Sequence, residues 1–336
     1  MARSWKERSR AWARTCLAAA VWAVIATGAV LVASQLLGWR GNALLASIQA
    51  LTPYVVLLLA LITALTLFLR RHLASVASSL LGVVGLALVA PVVFADGPAA
   101  APGADGVEVV SVNLLYTNPD VDAVADLLVD RDADVVVFTE YTEEHHARLV
   151  DSALALGYTH RLVRPGPGAL GVAVWSRLEL DARAGPPTVN HSVDVLVDGP
   201  DGAFRLLGVH TPTPVYDFHP WLDDLSTIEE AAGAAPSLPT LVIGDFNASY
   251  WHPAFRQILD VGFTDAHIAA GEAFSGSWPA GGAVPAFVRL DHALTGFGLV
   301  STSVDDFPIP GSDHTGFEVT VAPARAAAPG TLARGG

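Results

Sequence analysis

Two patterns of apolar and polar positions divide the chain. Up to residue 95 the apolar runs are long and carry no charged side chain: 15–38, 43–69 and 73–95. Each is long enough to cross a hydrocarbon core of about 30 Å at about 1.5 Å rise per residue. Residues 1–95 therefore read as a membrane anchor of three transmembrane helices. Beyond 107 the apolar runs shorten to strand length. Strands are expected over 107–113, 134–140, 172–176, 193–197, 204–210, 241–245, 289–294 and 317–321. Apolar spacing of three and four predicts helices over 119–131, 142–156 and 221–232. Residues 96–106, rich in Ala, Pro and Gly, read as a linker, 107–322 as a globular domain, and 323–336 as a disordered tail.

The strand ends carry chemistry. Run 241–245 ends in Gly244-Asp245, and Phe246-Asn247 follow. Side chains two apart on an extended chain point to one face, so Asp245 and Asn247 project together. Taken alone, this stretch reads first as a strand followed by an Asx turn. Other strands end in the same way: in Asn113, in Glu140 and in His210. Asp313-His314 precede the last strand, and Asp291 lies within another. Buried carboxylates and imidazoles are costly unless paired or metal-bound. Their recurrence at strand ends points to one shared site.

Charge sharpens the picture. The chain has a formal net charge of −14, but residues 104–322 alone hold nine Arg, no Lys and 31 Asp or Glu, a net of −22. Such a domain attracts divalent cations and repels long polyanions, which counts against unaided nucleic-acid binding. Arg3, Lys6, Arg8, Arg10 and Arg14 precede the first apolar run, and Arg70 and Arg71 separate the second from the third. Only Arg40 lies between the first two. The excess of basic residues places the N-terminus in the cytoplasm, and three crossings leave the domain outside it. Cys16 is the only cysteine, so no disulfide forms within one chain.

The motifs Ser-Val-Asn113-Leu, Phe-Thr-Glu140, Gly-Val-His210-Thr-Pro, Gly-Asp245-Phe-Asn247, Arg-Leu-Asp291-His and Ser-Asp313-His314 occur in this order over 107–321. In type and order they resemble the endonuclease/exonuclease/phosphatase superfamily. The resemblance implies a four-layer α/β sandwich: two mixed β-sheets flanked by helices, here preceded by the three membrane helices. It implies a hydrolase acting on phosphoesters with Mg²⁺, or alternatively Mn²⁺. Carried over, Glu140, Asn113 and Asp313 serve the metal. Asp245 orients or deprotonates the attacking water, and Asn247 holds a phosphate oxygen. His314 is the acid/base imidazole or charge stabiliser, with Asp291 fixing its tautomer, and His210 faces the scissile phosphate.

Two departures stand out. No Glu between 158 and 176 is placed to back His210, and the domain has no Lys for a nucleic-acid backbone, leaving Arg161, Arg164, Arg177 and Arg256 as a local patch. His145 and His146 read as exposed on a helix, and Asp265 as a turn residue. Fold and motif do not set the substrate. Acidity and anchor favour a lipid headgroup or small molecule over nucleic acid. The rivals are an extracytoplasmic nuclease on DNA or RNA and a catalytically silent membrane-anchored binding module. The lipid bilayer is the expected partner, and no protein partner is readable.

Overall fold

The computed structural model describes residues 5–326. Arg3 and most of the expected tail lie outside the described residues. The chain forms two compact units: residues up to 92 together with 251–253, and the remainder.

The first unit comprises α1 (Trp5–Leu36), α2 (Ala43–Ala50), α3 (Thr52–Phe68) and α4 (His72–Val93). α1 and α4 are each long and apolar enough to cross a membrane, with a mean hydropathy of 2.3 over their best windows. The expected helix over 43–69 is instead the pair α2 and α3, bent by 70°. Pro53 in the first turn of α3 lacks an N–H, so the α2 ladder cannot run on through it. Thr52 Oγ1 donates to the Gln49 carbonyl at 2.7 Å, satisfying an acceptor at the break. Two or three spans are thus available, according to whether the bent pair crosses as one. Side-chain hydrogen bonds tie the helices together, among them Thr63 Oγ1 to Ser78 Oγ at 2.8 Å.

In the second unit, β1 (Val107–Asn113), α5 (Val121–Arg131) and β2 (Val135–Thr139) make a parallel crossover. Next come α6 (Glu143–Val150), α7 (Leu154–Gly157), β3 (His160–Arg164) and β4 (Val172–Ser176). β5 (Leu180–Arg183), β6 (Val193–Gly199) and β7 (Gly202–His210) form an antiparallel meander. α8 (Phe218–Gly233) leads to β8 (Thr240–Asp245), parallel to β7. The unit continues through α9 (Pro253–Asp260), β9 (Phe263–Asp265) and α10 (Ala266–Ala269). It closes with β10 (Asp291–Gly296), β11 (Leu299–Pro308) and β12 (Thr315–Pro323). The helix expected over 142–156 is interrupted at Ser152, whose Oγ caps the Leu149 carbonyl at 2.7 Å. Pro323, expected in the tail, ends β12, and Ala324 bridges back to Ala100.

The strands build two six-stranded mixed sheets, ordered β11-β12-β1-β2-β4-β3 and β5-β6-β7-β8-β10-β9. Val109, Val137, Val174, Val195, Leu206 and Ile243 belong to one cluster between the sheets and are fully buried. Each contributes about 1.5–3 kcal/mol of apolar transfer energy. The alternate positions of the first sheet, such as Val110, Val136 and Phe138, pack with Val124, Leu128 and Leu149 of its helices. On the other sheet, α8 buries Trp221, Leu225 and Ile228. The architecture is a four-layer α/β sandwich.

Candidate functional site

Sheet topology alone brings the predicted residues to one edge. Each sheet has one central parallel pair, β1 with β2 and β7 with β8. The C-terminal ends of these four strands carry Asn113, Glu140, His210 and Asp245. β10 and β12 run antiparallel to β8 and β1, so their beginnings reach the same edge. Asp291 is therefore in register with Asp245, and His314 immediately precedes Thr315 of β12.

The local backbone is specialised here. Glu140 lies just past β2 with φ +55°, Asn247 has φ +44°, and Leu115, two residues past β1, has φ +58°. Non-glycine residues in this region store strain that the surroundings must repay. Gly244 has φ +137°, and a Cβ there would lie 2.1 Å from the Val209 carbonyl oxygen. Only glycine lets β7 and β8 approach closely enough to set His210 beside Asp245.

Hydrogen bonds then join the side chains. Asn113 Nδ2 donates to Asp245 Oδ2 at 3.0 Å and to Glu140 Oε1 at 3.3 Å. Glu140 Oε2 accepts the Tyr116 N–H at 2.9 Å. Asp245 Oδ1 accepts the Asn247 N–H at 2.8 Å, and Asn247 Nδ2 donates to the Thr211 carbonyl at 2.9 Å. His210 Nε2 lies 3.6 Å from Asp245 Oδ2, and His314 Nε2 lies 4.0 Å from the same atom. His314 Nδ1 sits 2.7 Å from Asp291 Oδ2, with both side chains buried. Asp313 reaches the same loop through Trp278, whose Nε1 donates to its Oδ2 at 3.2 Å. Its other oxygen is buried and has no hydrogen-bond partner among the described residues.

Electrostatics separates the two imidazoles. Burial opposes charge on His314, but Asp291, then Asp245 and Asp313, overcome it and raise its pKa to about 10. Burial dominates at His210, and with the His314 cation it holds that ring below the usual histidine range. Burial, and then the Asp291 charge, push Asp245 up to about 8. A cationic ring, a neutral ring and a carboxyl with a near-neutral pKa thus lie in one buried cluster. Asp245, Asp291 and His314 offer ligand atoms that all lie within 4.8 Å of one another.

The sequence left His210 without a partner, and among the described residues no side chain bonds its Nδ1. Other expectations change. Three of the four arginines of the expected patch are engaged by neighbours. Arg161 lies over Trp175, Arg177 pairs with Asp132, and Arg256 donates to the Tyr250 carbonyl. His145 is buried rather than exposed, with Nδ1 3.1 Å from the Glu140 carbonyl, so it pins the backbone of Glu140. Its clue was Thr142, an N-cap three residues ahead. Asp265 is more than a turn residue: it caps α10 and contacts Nδ1 of His292 at 2.5 Å. Ser277, not singled out by sequence, accepts the backbone N–H groups of Leu290 and Asp291 at 2.9 and 3.2 Å.

Solved structures share this fold at low identity. A DNA-bound 3′ phosphatase, NExo, from Neisseria is 18% identical with a TM-score of 0.52, covering 63% of this chain and 98% of its own. D. rerio TDP2 complexed with single-strand DNA product is 15% identical at TM-score 0.53, covering 65% and 99%. An endonuclease/exonuclease/phosphatase protein from Beutenbergia cavernae is 18% identical at TM-score 0.50, covering 65% and 72%. No protein of curated function matches the chain in sequence. The model of the Endonuclease/Exonuclease/phosphatase family matches residues 110–314, from within β1 to His314, enclosing every residue placed at the strand-end site. The chain belongs to the endonuclease/exonuclease/phosphatase family.

Proposed function

We propose that the protein is a membrane-anchored, extracytoplasmic, metal-dependent phosphoesterase acting on a phospholipid headgroup or another small phosphoester. The observation that carries the reading is the buried Asp291–His314 pair, 2.7 Å apart, facing Asp245 at the strand-end edge.

The residues divide the work. Asp245, with a pKa near 8, is matched to orient an attacking water and take its proton. His314, held as imidazolium by Asp291, neutralises charge that builds on the phosphoryl oxygens, and can donate a proton to the leaving oxygen. His210 and the Asn247 amide present further polar groups to the phosphate. Asn113 links Glu140 to Asp245, and so holds the metal-facing and water-facing carboxylates in one frame.

A divalent cation fits the donor set. Glu140 offers a hard carboxylate, Asn113 Oδ1 accepts the Leu115 N–H at 3.0 Å and keeps a second lone pair, and the partnerless buried oxygen of Asp313 gains a partner if it faces the ion. The Asp245-Asp291-His314 group is the less suitable holder, because an imidazolium has no lone pair for a metal. Bound by Glu140, Asn113 and Asp313, Mg²⁺ would supply Lewis-acid charge for the phosphoester.

Substrate choice follows from charge. The domain carries a net of −22, and three of the four arginines that could have formed a patch are engaged within the fold. That supports a small or lipid phosphoester over a long polyanion. The apolar helices support anchoring, and the Lys and Arg bias supports a cytoplasmic N-terminus. A nuclease is the second reading, favoured by the DNA-bound structures of similar fold. Full-length protein in detergent, assayed with Mg²⁺ and with chelator on phospholipids, bis-aryl phosphate and plasmid DNA, separates the two. Metal-dependent turnover of lipid or aryl ester is expected. Turnover of DNA alone would establish the nuclease, and no turnover on any substrate would point to a binding module.

A further inference from the structure

The helical unit contains a cavity that the phosphoesterase reading does not use. It has a volume of about 420 Å³ and lies among α1, the end of α3 and the start of α4. Its wall is mainly apolar, with Leu17 and Trp22 from one side and Leu73 from the other. Its charged groups are Arg14 and Arg71, with His72 adjoining, and no Asp or Glu lines it. Among the described residues neither guanidinium enters an ion pair. Two cations beside one cavity repel each other, so an anion between them is electrostatically favoured.

The backbone of one of these residues is fixed. Leu69 N–H donates to the Leu65 carbonyl at 2.9 Å and Arg71 N–H to the Thr66 carbonyl at 2.8 Å, with Arg70 left-handed at φ +54°. That pattern closes α3 as a Schellman-type cap. The Arg71 carbonyl then accepts the Ser75 N–H at 2.9 Å as α4 starts. Arg71 is pinned on both sides. α4 runs 22 residues from His72, so its first-turn amides add partial positive charge at the same end.

The apolar wall narrows the ligand class. A free phosphate needs no such wall. Leu17, Trp22, Leu69 and Leu73 are also 40–74% exposed, and so open the cavity sideways. In a bilayer that opening faces acyl chains. At roughly 30 Å³ per water-sized group, the volume holds about 14 such groups: a phosphate, a glycerol and the head of a chain, but not a whole lipid. We propose that this cavity binds one anionic phospholipid, its phosphate between Arg14 and Arg71 and an acyl chain along Leu17, Trp22 and Leu73. The proposal rests on the reading of these helices as membrane spans. Given the basic bias of this end, the lipid belongs to the cytoplasmic leaflet.

The test uses full-length protein in mild detergent, with bound lipid counted by native mass spectrometry during titration with phosphatidylglycerol, phosphatidylcholine or inorganic phosphate. One tightly held phosphatidylglycerol is expected, with little retention of phosphatidylcholine. Arg14→Gln/Arg71→Gln should weaken it about 30-fold, whereas Arg10→Gln/Arg70→Gln, removing equal charge outside the cavity, should leave it within about threefold. Equal losses in the two pairs would reduce the effect to diffuse attraction and overturn the site. Equal retention of both lipids, or displacement by inorganic phosphate alone, would overturn the lipid assignment. The lipid preference of the unaltered protein decides the matter even if a variant fails to fold. Alkaline extraction of membranes tests the anchor separately: a protein released by carbonate loses the membrane reading itself, whereas one that is retained but unselective loses only this proposal.

Discussion

Replacing Asp291 with Asn removes one charge and keeps the shape of the residue that begins β10. The β8–β10 register, with Asp291 opposite Asp245, should survive. What is lost is the carboxylate 2.7 Å from Nδ1 of His314. Burial alone would depress His314, and its acidic neighbours raise it to about 10 instead. From the ordinary histidine value that net gap corresponds to about 5 kcal/mol, so Asp291, Asp245 and Asp313 together supply more than this to offset burial. Asp291 has the largest influence among them and is the hydrogen-bonded one. Its loss removes much of the imidazolium and lets the wrong tautomer form, so kcat should fall roughly 10²–10⁴-fold with KM within about threefold. The sign of the pH effect also follows. A raised folded pKa contributes stability that is complete below about 6.5 and lost as pH rises through about 10. The unaltered, chelator-treated protein should therefore lose stability across that alkaline window, and Asp291→Asn should show a smaller loss. Turnover of bis-(p-nitrophenyl) phosphate by full-length protein at saturating Mg²⁺, with near-UV circular dichroism as the fold check, reads the result. A folded variant retaining kcat within about threefold would refute the assignment of His314 as a charged catalytic group.

Four further outcomes are expected. Chelation should abolish hydrolysis and Mg²⁺ restore it, while Glu140→Gln should raise the Mg²⁺ concentration for half-activation at least about tenfold; titration of activity against free Mg²⁺ checks both. Gly244→Ala should destabilise the domain by about 3 kcal/mol or more and cut activity, since its Cβ would strike the Val209 carbonyl; urea unfolding measures it, and a neutral result would contradict the close approach of β7 and β8. Asp194→Ala strands the buried guanidinium of Arg205, which donates to Asp194 at 2.8 and 3.0 Å, and should cost about 3–5 kcal/mol, while Asp194→Leu with Arg205→Met should recover most of it in the same unfolding assay. Burial opposes the charge on Asp265, but His292 outweighs it and lowers the carboxyl to about 2, so its stabilisation is present above about pH 4 and lost as pH falls through about 2; Asp265→Asn should flatten that acid limb in pH-dependent unfolding.

The strands that sequence reading missed share one position. β3, β5, β9 and β11 are the four edges of the two sheets. An edge strand has one unpaired flank and is partly solvated, so it carries residues such as Arg161, Asp181 and Asp305 in place of an apolar run. The central strands are buried on both faces and read directly as apolar runs. The bend between α2 and α3 was unread because hydropathy is blind to direction, although Pro53 marked the place. His145 and Asp265 were misread for a related reason: short polar segments look solvated until their packing partners are known.

By itself the sequence determined what is local or periodic. It set the apolar helices, the central strands, the polar residue at each strand end, the family motifs and the charge that weighs against long polyanions. Tertiary structure decided what depends on distance between remote segments. It set Asp291 beside His314 across 23 residues and joined Asn113 to Asp245 across 132. It engaged three of four candidate arginines with neighbours in the domain and, among the described residues, gave His210 no carboxylate bonded at Nδ1. The physical reason is that side-chain chemistry is carried by residue type, whereas pKa, pairing and desolvation are properties of neighbours, and neighbours are fixed only when the two sheets close on each other.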